Sequence, residues 1–202
     1  MNNKIVVAVV LVVAAVAGIL VYQYRLDNQQ ADLAPPPVDE RKVDNAVRTI
    51  DFSLADIGGE TRQLSDWGGR ARLVNFWATW CAPCRREIPL LKSLQAEQAD
   101  DGLQVIGIAV DFLEEVVAYA EEAQFNYPIL VGQEDAMMAA ESSGVEFIGL
   151  PFTLVLSRNG ELLKTHVGEI VEEHVERIVG VLHQMDNEGL SASDAREALR
   201  SL

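Results

Sequence analysis

The chain has 202 residues, and its acidic side chains outnumber the basic ones 31 to 16, which gives a formal net charge of −15. Once the unusual N-terminus is set aside, this length suits a single domain with a hydrophobic core. The negative charge disfavours binding to nucleic acid or to an anionic lipid surface, because phosphate groups would repel the folded part.

The N-terminus contains an uncharged apolar stretch at residues 5–21. A helix over this stretch would be about 26 Å long, close to the thickness of a bilayer's hydrocarbon core. The pattern predicts an uncleaved membrane anchor over residues 1–25, with its span at about residues 5–22 and Tyr22 and Tyr24 at the interface. A cleaved signal peptide and an ordinary core helix are the alternatives.

Basic residues occur on both sides of this stretch, so they barely discriminate between the two orientations. An N-terminal anchor followed by a domain usually exports that domain, and we therefore expect the soluble part on the extracytoplasmic, periplasmic side. No glutathione pool keeps thiols reduced there. Residues 26–47 are polar and contain three consecutive prolines, which predicts a semi-rigid, extended linker.

Strands and helices alternate over residues 48–185, the predicted main domain. We expect a strand-turn-strand over residues 51–64, then strands over 73–77, 105–110, 128–131, 152–156 and 162–167, and helices over 83–98, 112–123, 135–142 and 171–185. Asn159-Gly160 indicates a hairpin between the last two strands. This order predicts an α/β sandwich with a mixed sheet.

Residues 186–202 are predicted to form a C-terminal helical extension. Ser191 and Asp194 have the spacing of a capping box, which predicts that a short helix opens there and continues to Leu202. We expect this helix to be a solvated appendage.

Cys81 and Cys84 are the two cysteines of the chain, and they lie where a predicted buried strand gives way to a helix. A structural zinc site would need four ligands, and the three histidines are far along the chain without finger-like spacing. A structural disulfide would close too small a loop to constrain the unfolded chain much. A helix N-terminus favours a thiolate, so a redox pair is the favoured interpretation over these two alternatives.

The run FWATWCAPC at residues 76–84 resembles a thioredoxin-fold active site, and residues 73–91 resemble the membrane-anchored TlpA/ResA/CcmG-type thiol-disulfide oxidoreductases. Gly149-Leu150-Pro151 is similar to the family's cis-proline loop. The resemblance covers residues 48–185. It implies a thioredoxin-like fold, a mixed central sheet flanked by helices, with an N-terminal hairpin and a helix-strand insertion at about residues 112–131.

The resemblance also implies roles for site residues. Cys81, expected to be exposed, is the nucleophile, and Cys84 resolves the mixed disulfide, so the two form the redox disulfide. Glu87 corresponds to a glutamate implicated in proton handling, although an ordinary exposed or helix-start glutamate is the alternative. Cytosolic thioredoxins carry a buried aspartate on the preceding strand, where this chain has Asn75. Arg86, like its neighbour Arg85, either adds positive potential or is an ordinary solvated charge.

A substrate groove is expected beside Cys81. The resemblance implies a cis peptide bond at Pro151, which leaves the backbone of Leu150 available to an extended substrate. Trp80 and Leu150 would form its apolar walls, whereas Trp77 is expected in the core. Phe152 departs from the threonine common after this proline, so the choice of partner can differ.

These features predict an extracytoplasmic enzyme that reduces disulfides in client proteins, such as apocytochrome c or metal-site assembly proteins. A membrane thiol donor would recharge it, and we expect no cofactor, no metal and no nucleic-acid partner. The dipeptide Ala82-Pro83 resembles that of reducing family members. A peroxiredoxin-type peroxidase and a copper-delivering protein on the same fold are the alternatives. In a peroxidase, the reactive cysteine would have a different spacing from its threonine than Cys81 has from Thr79. Copper-delivering proteins commonly use C-x-x-x-C with a distant histidine.

Overall fold

The structure is a computed structural model, and it describes residues 48–142, 144–147 and 149–202. The predicted anchor at residues 1–25 and the predicted linker at residues 26–47 lie outside the described residues. Within the part of the chain that is described, no helix combines the length and the apolar character needed to cross a membrane.

The strands and helices follow the predicted order. The strands are β1 (Ser53–Asp56), β2 (Thr61–Gln63), β3 (Ala71–Trp77), β4 (Leu103–Val110), β5 (Ile129–Gly132), β6 (Phe152–Leu156) and β7 (Leu162–Val167). The helices are α1 (Ala82–Gln98), α2 (Leu113–Ala123), α3 (Glu134–Ser142), α4 (Glu172–Asn187) and α5 (Ala192–Ala198). Each element lies within a few residues of its predicted place.

The strands form one mixed sheet in the order β2-β1-β5-β4-β3-β6-β7. The β3, β4 and β5 strands are mutually parallel, and the remaining pairs are antiparallel. Helices that connect parallel strands must lie on the sheet faces. The predicted mixed sheet of the α/β fold is therefore confirmed, and β3, an interior strand, leads to the turn before the cysteines.

The sheet separates two apolar cores, and β3 contributes side chains to both. Successive side chains of a strand point to opposite faces of the sheet. Leu73 and Trp77 pack in the core that contains residues of α1 and α4, and Val74 and Phe76 pack in the core on the other face. Asn75 shares a face with Leu73 and Trp77, so its polar side chain enters an otherwise apolar layer and contacts α1.

Helix α5 is docked on the domain, so the prediction of a solvated appendage was wrong. Ser191 caps the helix as predicted, since its hydroxyl accepts the Asp194 N–H at 3.2 Å. Ala195 and Leu199, however, are fully buried in the core that α4 also lines. A capping signal shows where a helix begins but not what covers its apolar face. Burial of a leucine side chain such as Leu199 contributes about 2 kcal/mol.

Candidate active site

The two cysteines lie at the start of α1, directly after the turn that follows β3. Cys81 is the N-cap residue of the helix, and its Sγ accepts the Cys84 N–H at 3.3 Å. The two sulfur atoms are bonded at 2.02 Å, so the structure is that of the oxidised form. The free N–H groups and the positive end of the helix dipole favour negative charge on Cys81 once the bond is reduced.

Cys81 is less exposed than expected from the sequence. Its exposed fraction is 6%, and that of Cys84 is 0%, so the prediction of an exposed Cys81 was wrong for the oxidised form. Cys81 belongs to the same buried cluster as Ile170, and Leu150 packs against that cluster. Cys81 nevertheless remains the more exposed of the two cysteines, which agrees with the expectation that it is the residue an incoming partner meets.

The turn between β3 and Cys81 is held by Asp111, a residue that the sequence interpretation missed. One carboxylate oxygen of Asp111 accepts both the backbone N–H of Thr79, at 2.9 Å, and the Thr79 hydroxyl, at 2.6 Å. The other oxygen accepts the N–H of Phe112 at 2.9 Å. A signal was available, because Asp111 directly follows β4 and parallel neighbouring strands end at the same edge of a sheet.

Glu87 lies on α1 and is buried, with an exposed fraction of 1%. It lies three residues after Cys84, so the two side chains share one side of α1. Its carboxylate accepts the Ile170 N–H at 2.6 Å and the Asn75 amide at 2.8 Å. Burial raises the pKa of Glu87 to about 7, although the two hydrogen bonds act in the opposite direction. The alternative of an exposed glutamate is therefore wrong.

Asn75 and Thr153 form the floor of this polar pocket. They are directly opposite each other in the β3–β6 ladder, and the Asn75 Nδ2 donates to the Thr153 hydroxyl at 3.0 Å as well as to Glu87. The sequence pointed to Asn75 only as the residue that stands where cytosolic thioredoxins carry a buried aspartate. Its role as a donor to Glu87, and the participation of Thr153, depend on the pairing of distant strands.

Arg86 also has a specific partner. Its Nε–H group lies 3.1 Å from both carboxylate oxygens of Glu169, and its Nη2 contacts Glu169 Oε2. Hydrogen bonding to this carboxylate raises the pKa of the Arg86 guanidinium. The Arg86 side chain is 61% exposed, so Arg86 is a solvated charge, but its ion pair also joins α1 to the segment between β7 and α4.

The Leu150–Pro151 peptide bond is cis, as the resemblance implied. Pro151 immediately precedes β6, and the pairing of Phe152 with Phe76 places this segment at the end of the sheet where β3 leads to the cysteines. Pro151 is buried and its carbonyl accepts the Gly168 N–H at 2.9 Å. Leu150 is half-buried.

The tryptophans on either side of the turn differ sharply. Trp77 is 1% exposed, which confirms its expected place in the core, whereas Trp80 is 67% exposed. Phe112 and Leu113, which directly follow Asp111, are also large exposed apolar residues. A groove walled by Trp80 and Leu150 stays a prediction. Over the residues that are described, no group of three or more His, Cys, Asp or Glu side chains is arranged to hold a metal ion.

Comparisons with known proteins agree with this geometry. The AhpC/TSA family profile matches residues 46–165. The chain is 32% identical over 128 residues to the thiol-disulfide oxidoreductase ResA of Geobacillus kaustophilus, covering 63% of this chain and 71% of that protein. It is 33% identical over 133 residues to the thioredoxin-like protein YneN of Bacillus subtilis, covering 63% and 74% of the two chains.

A similar fold is found among solved structures. The crystal structure of a thiol:disulfide interchange protein of the thioredoxin family from Chlorobium tepidum TLS is 29% identical and superposes with a TM-score of 0.60. The match covers 67% of this chain and 95% of that one. With its C-x-x-C pair at a helix N-terminus, the chain therefore belongs to the AhpC/TSA family and is a ResA-like thiol-disulfide oxidoreductase of the thioredoxin superfamily.

Proposed function

We propose that this oxidoreductase is an extracytoplasmic disulfide reductase, anchored by its N-terminal apolar segment and recharged by a membrane thiol donor. Its clients would be exported proteins that need reduced cysteines, such as apocytochrome c or a metal-site assembly protein. The apolar stretch at residues 5–21 supports the extracytoplasmic location. The dipeptide Ala82-Pro83 supports electron flow from the enzyme to the client. Relatives named as thiol-disulfide oxidoreductases support this chemistry over the peroxidase and copper-delivery alternatives.

The reaction transfers two electrons from the cysteine pair to the client. The Cys81 thiolate attacks a client disulfide, so a Cys81–client bond forms as the client S–S bond breaks. Cys84 then attacks Cys81 Sγ, and the second client sulfur leaves. The two client sulfurs leave as thiolates and take up protons from solvent, whereas Cys81 has lost its proton to solvent and Cys84 loses its proton to an acceptor within the enzyme. The enzyme ends as the disulfide. A donor dithiol reverses these bond changes on the enzyme and restores the reduced pair.

The buried Glu87 carboxyl carries the proposal. Cys84 is fully enclosed, so water cannot easily accept its proton during the resolving step. Glu87 follows on the same side of α1, and its pKa of about 7 means that both protonation states are accessible near neutral pH. We infer that Glu87 accepts the Cys84 proton as the client is released and returns it when the pair is reduced again.

The decisive experiment captures clients in cells. In full-length protein, Cys84→Ala removes the resolving thiol, so mixed disulfides on Cys81 should persist. We expect defined adducts with exported cysteine-containing proteins, separable by a reducing agent and identifiable by mass spectrometry. The matched control is the double variant with Cys81→Ala and Cys84→Ala, which should lose every adduct.

Two results would contradict the proposal. Adducts unchanged in the double variant would show that Cys81 is not the reactive sulfur, and adducts with cytosolic proteins alone would exclude the extracytoplasmic location. Alkylation of the wild-type protein in intact cells tests the direction of electron flow. We expect Cys81 and Cys84 to be mainly thiols, whereas a pair held as a disulfide would indicate an oxidase.

A further inference from the structure

The segment at residues 168–171, here called the 168–171 loop, connects β7 to α4 and contacts both sides of the active site. The Gly168 N–H donates to the Pro151 carbonyl at 2.9 Å, next to the cis bond. Two residues later, the Ile170 N–H donates to Glu87 Oε2 at 2.6 Å. One short loop therefore supports both the proline segment and the buried carboxylate.

A second contact joins the 168–171 loop to α1, the helix that carries Glu87. Arg86 precedes Glu87 on α1, Glu169 precedes Ile170 in the loop, and the side chains of Arg86 and Glu169 form a forked ion pair. Two adjacent residues of α1 thus bind two adjacent residues of the loop. A forked pair fixes relative orientation better than a single contact does.

We propose that the Arg86–Glu169 ion pair holds the 168–171 loop against α1 and so keeps the Ile170 N–H on the Glu87 carboxylate. Arg86 and Glu169 are then positioning residues, which act on the reaction through Glu87. The importance of this arrangement for catalysis rests on the proposed role of Glu87 as proton carrier. The position of the loop and the charge state of Glu87 can be measured independently of that role.

Two adjacent residues of the loop, Glu169 and Ile170, affect the pKa of Glu87 with opposite sign. The negative charge of Glu169 raises the pKa of Glu87, whereas the Ile170 hydrogen bond lowers it. Arg86 compensates the first effect and maintains the second. Arg86→Gln should therefore raise the pKa of Glu87, because Glu169 loses its counter-charge and the loop loosens. Glu169→Gln should lower the pKa of Glu87, because a like charge is removed while the amide can still accept from Arg86.

The other groups that face this pocket are the same in both variants. The side chains of Asn75 and Thr153 are uncharged. The pKa of Tyr127 is raised, first by burial and then by the charge of Glu87, so this phenol stays neutral across the working range. Burial, followed by the neighbouring His174, lowers the pKa of His166, whose Nε2 lies 3.4 Å from the Glu169 carbonyl. None of these groups accounts for opposite shifts in the two variants.

The test is a pH titration of the Glu87 carboxyl by NMR in the oxidised, full-length protein with ¹³C-labelled glutamate. The resonance is assigned by its loss in Glu87→Gln. We expect the pKa of Glu87 to shift upward in Arg86→Gln and downward in Glu169→Gln, and to stay closer to the wild-type value in Arg86→Lys. Arg85→Gln removes the same charge from the neighbouring position of α1. It should shift the pKa of Glu87 less than Arg86→Gln does.

Opposite pKa shifts also follow from removal of the charges alone, so exchange of the Ile170 amide hydrogen with water is followed in the same samples. We expect this exchange to be faster in Arg86→Gln than in wild type and in Arg85→Gln, because the Ile170 N–H is no longer held on the Glu87 carboxylate. An unchanged exchange rate, or the absence of any pKa shift in Arg86→Gln, would overturn the proposal. The titration needs no client and no turnover. A titration that contradicts the loop proposal therefore leaves the test of the reductase by client capture with Cys84→Ala unaffected. If instead no client is captured but the Glu87 pKa shifts as expected, the reductase proposal alone is overturned.

Discussion

The two sides of the Cys81–Cys84 disulfide have opposite character. Beneath Cys84 lies a buried polar pocket, in which Glu87 is hydrogen-bonded to Asn75 and to the Ile170 N–H. Beside Cys81 lies an exposed apolar border formed by Trp80 and the residues after Asp111. We propose that this difference reflects a division of labour, in which protons are handled on the enclosed side, where water is excluded, and partners approach from the open side.

The energetic consequences also differ. A buried charge costs free energy that hydrogen bonds only partly offset, so changes in the polar pocket should be large and pH-dependent. An exposed side chain such as Trp80 adds little to folding, and its removal should affect binding instead. Each side can therefore be perturbed separately, and the expected effects decrease from the pocket to the border.

The largest effect is expected from Glu87→Gln on stability above neutral pH. The folded-state pKa of about 7 is higher than the ordinary value of 4.5, so the folded wild-type protein binds more protons than the unfolded chain between these values. Protonation of Glu87 therefore contributes fully to the free energy of unfolding below pH 4.5. As the pH rises through 7 this contribution is lost, and the free energy of unfolding falls by about 3 kcal/mol. The substituted glutamine cannot ionise, so the variant should keep this free energy at pH 8.

Urea unfolding of the oxidised proteins at pH 5 and pH 8 measures this effect. The difference between wild type and Glu87→Gln isolates the one carboxyl from the titration of all the others. The variant should be close to wild type at pH 5 and more stable at pH 8. A difference that does not change with pH would show that Glu87 is ionised in the pocket at both values.

The next effect is expected from Asp111→Ala, at the boundary between the two sides. The Asp111 carboxylate accepts three hydrogen bonds that hold Thr79 and Phe112 in place. Loss of these charge-assisted bonds should lower the free energy of unfolding by about 2 kcal/mol. The measurement is urea unfolding at pH 7. Asp100→Ala, at an exposed turn, is the control and should stay within about 0.5 kcal/mol of wild type.

A second readout ties this variant to the active site. Thr79 leads directly to Trp80 and Cys81, so a loosened turn should also slow thiol-disulfide exchange with a protein client. An Asp111→Ala protein with wild-type stability would contradict the role of Asp111 as the support of the turn.

The sequence was sufficient for features with local signals. Periodicity located the strands and helices, and the C-x-x-C motif and the Gly149-Leu150-Pro151 motif identified the two segments that β3 and β6 bring together. The Ser191 cap was also found. Each of these signals lies within a few consecutive residues, so no knowledge of tertiary contacts was needed.

The missed features depend on residues that are distant in the chain. Ile170 and Glu87 are 83 residues apart, Asn75 and Thr153 are 78 apart, and Thr79 and Asp111 are 32 apart. The sequence does not reveal which backbone N–H will meet a buried carboxylate. The low exposure of Cys81 and the burial of Leu199 were missed for the same reason, because each depends on what packs over it.

The smallest effect on folding is expected from Trp80→Ala, on the open side. Trp80 is 67% exposed, so its removal should change the free energy of unfolding by less than about 0.5 kcal/mol. If Trp80 contacts clients, exchange with a folded protein or a disulfide peptide should slow about tenfold, equivalent to about 1.4 kcal/mol of contact energy. Reduction of a small disulfide reagent, which is too small to reach the border, should proceed at the wild-type rate.

The comparison of large and small substrates makes Trp80→Ala informative about the open side. A matched control is Met138→Ala, because Met138 is 62% exposed but belongs to α3 and not to the turn that carries the cysteines. That variant should leave both rates unchanged. An equal loss of rate with both substrates in Trp80→Ala would mean that the indole shapes the reactivity of Cys81 itself. The open side would then take part in the chemistry, and the separation from the Glu87 pocket would not hold.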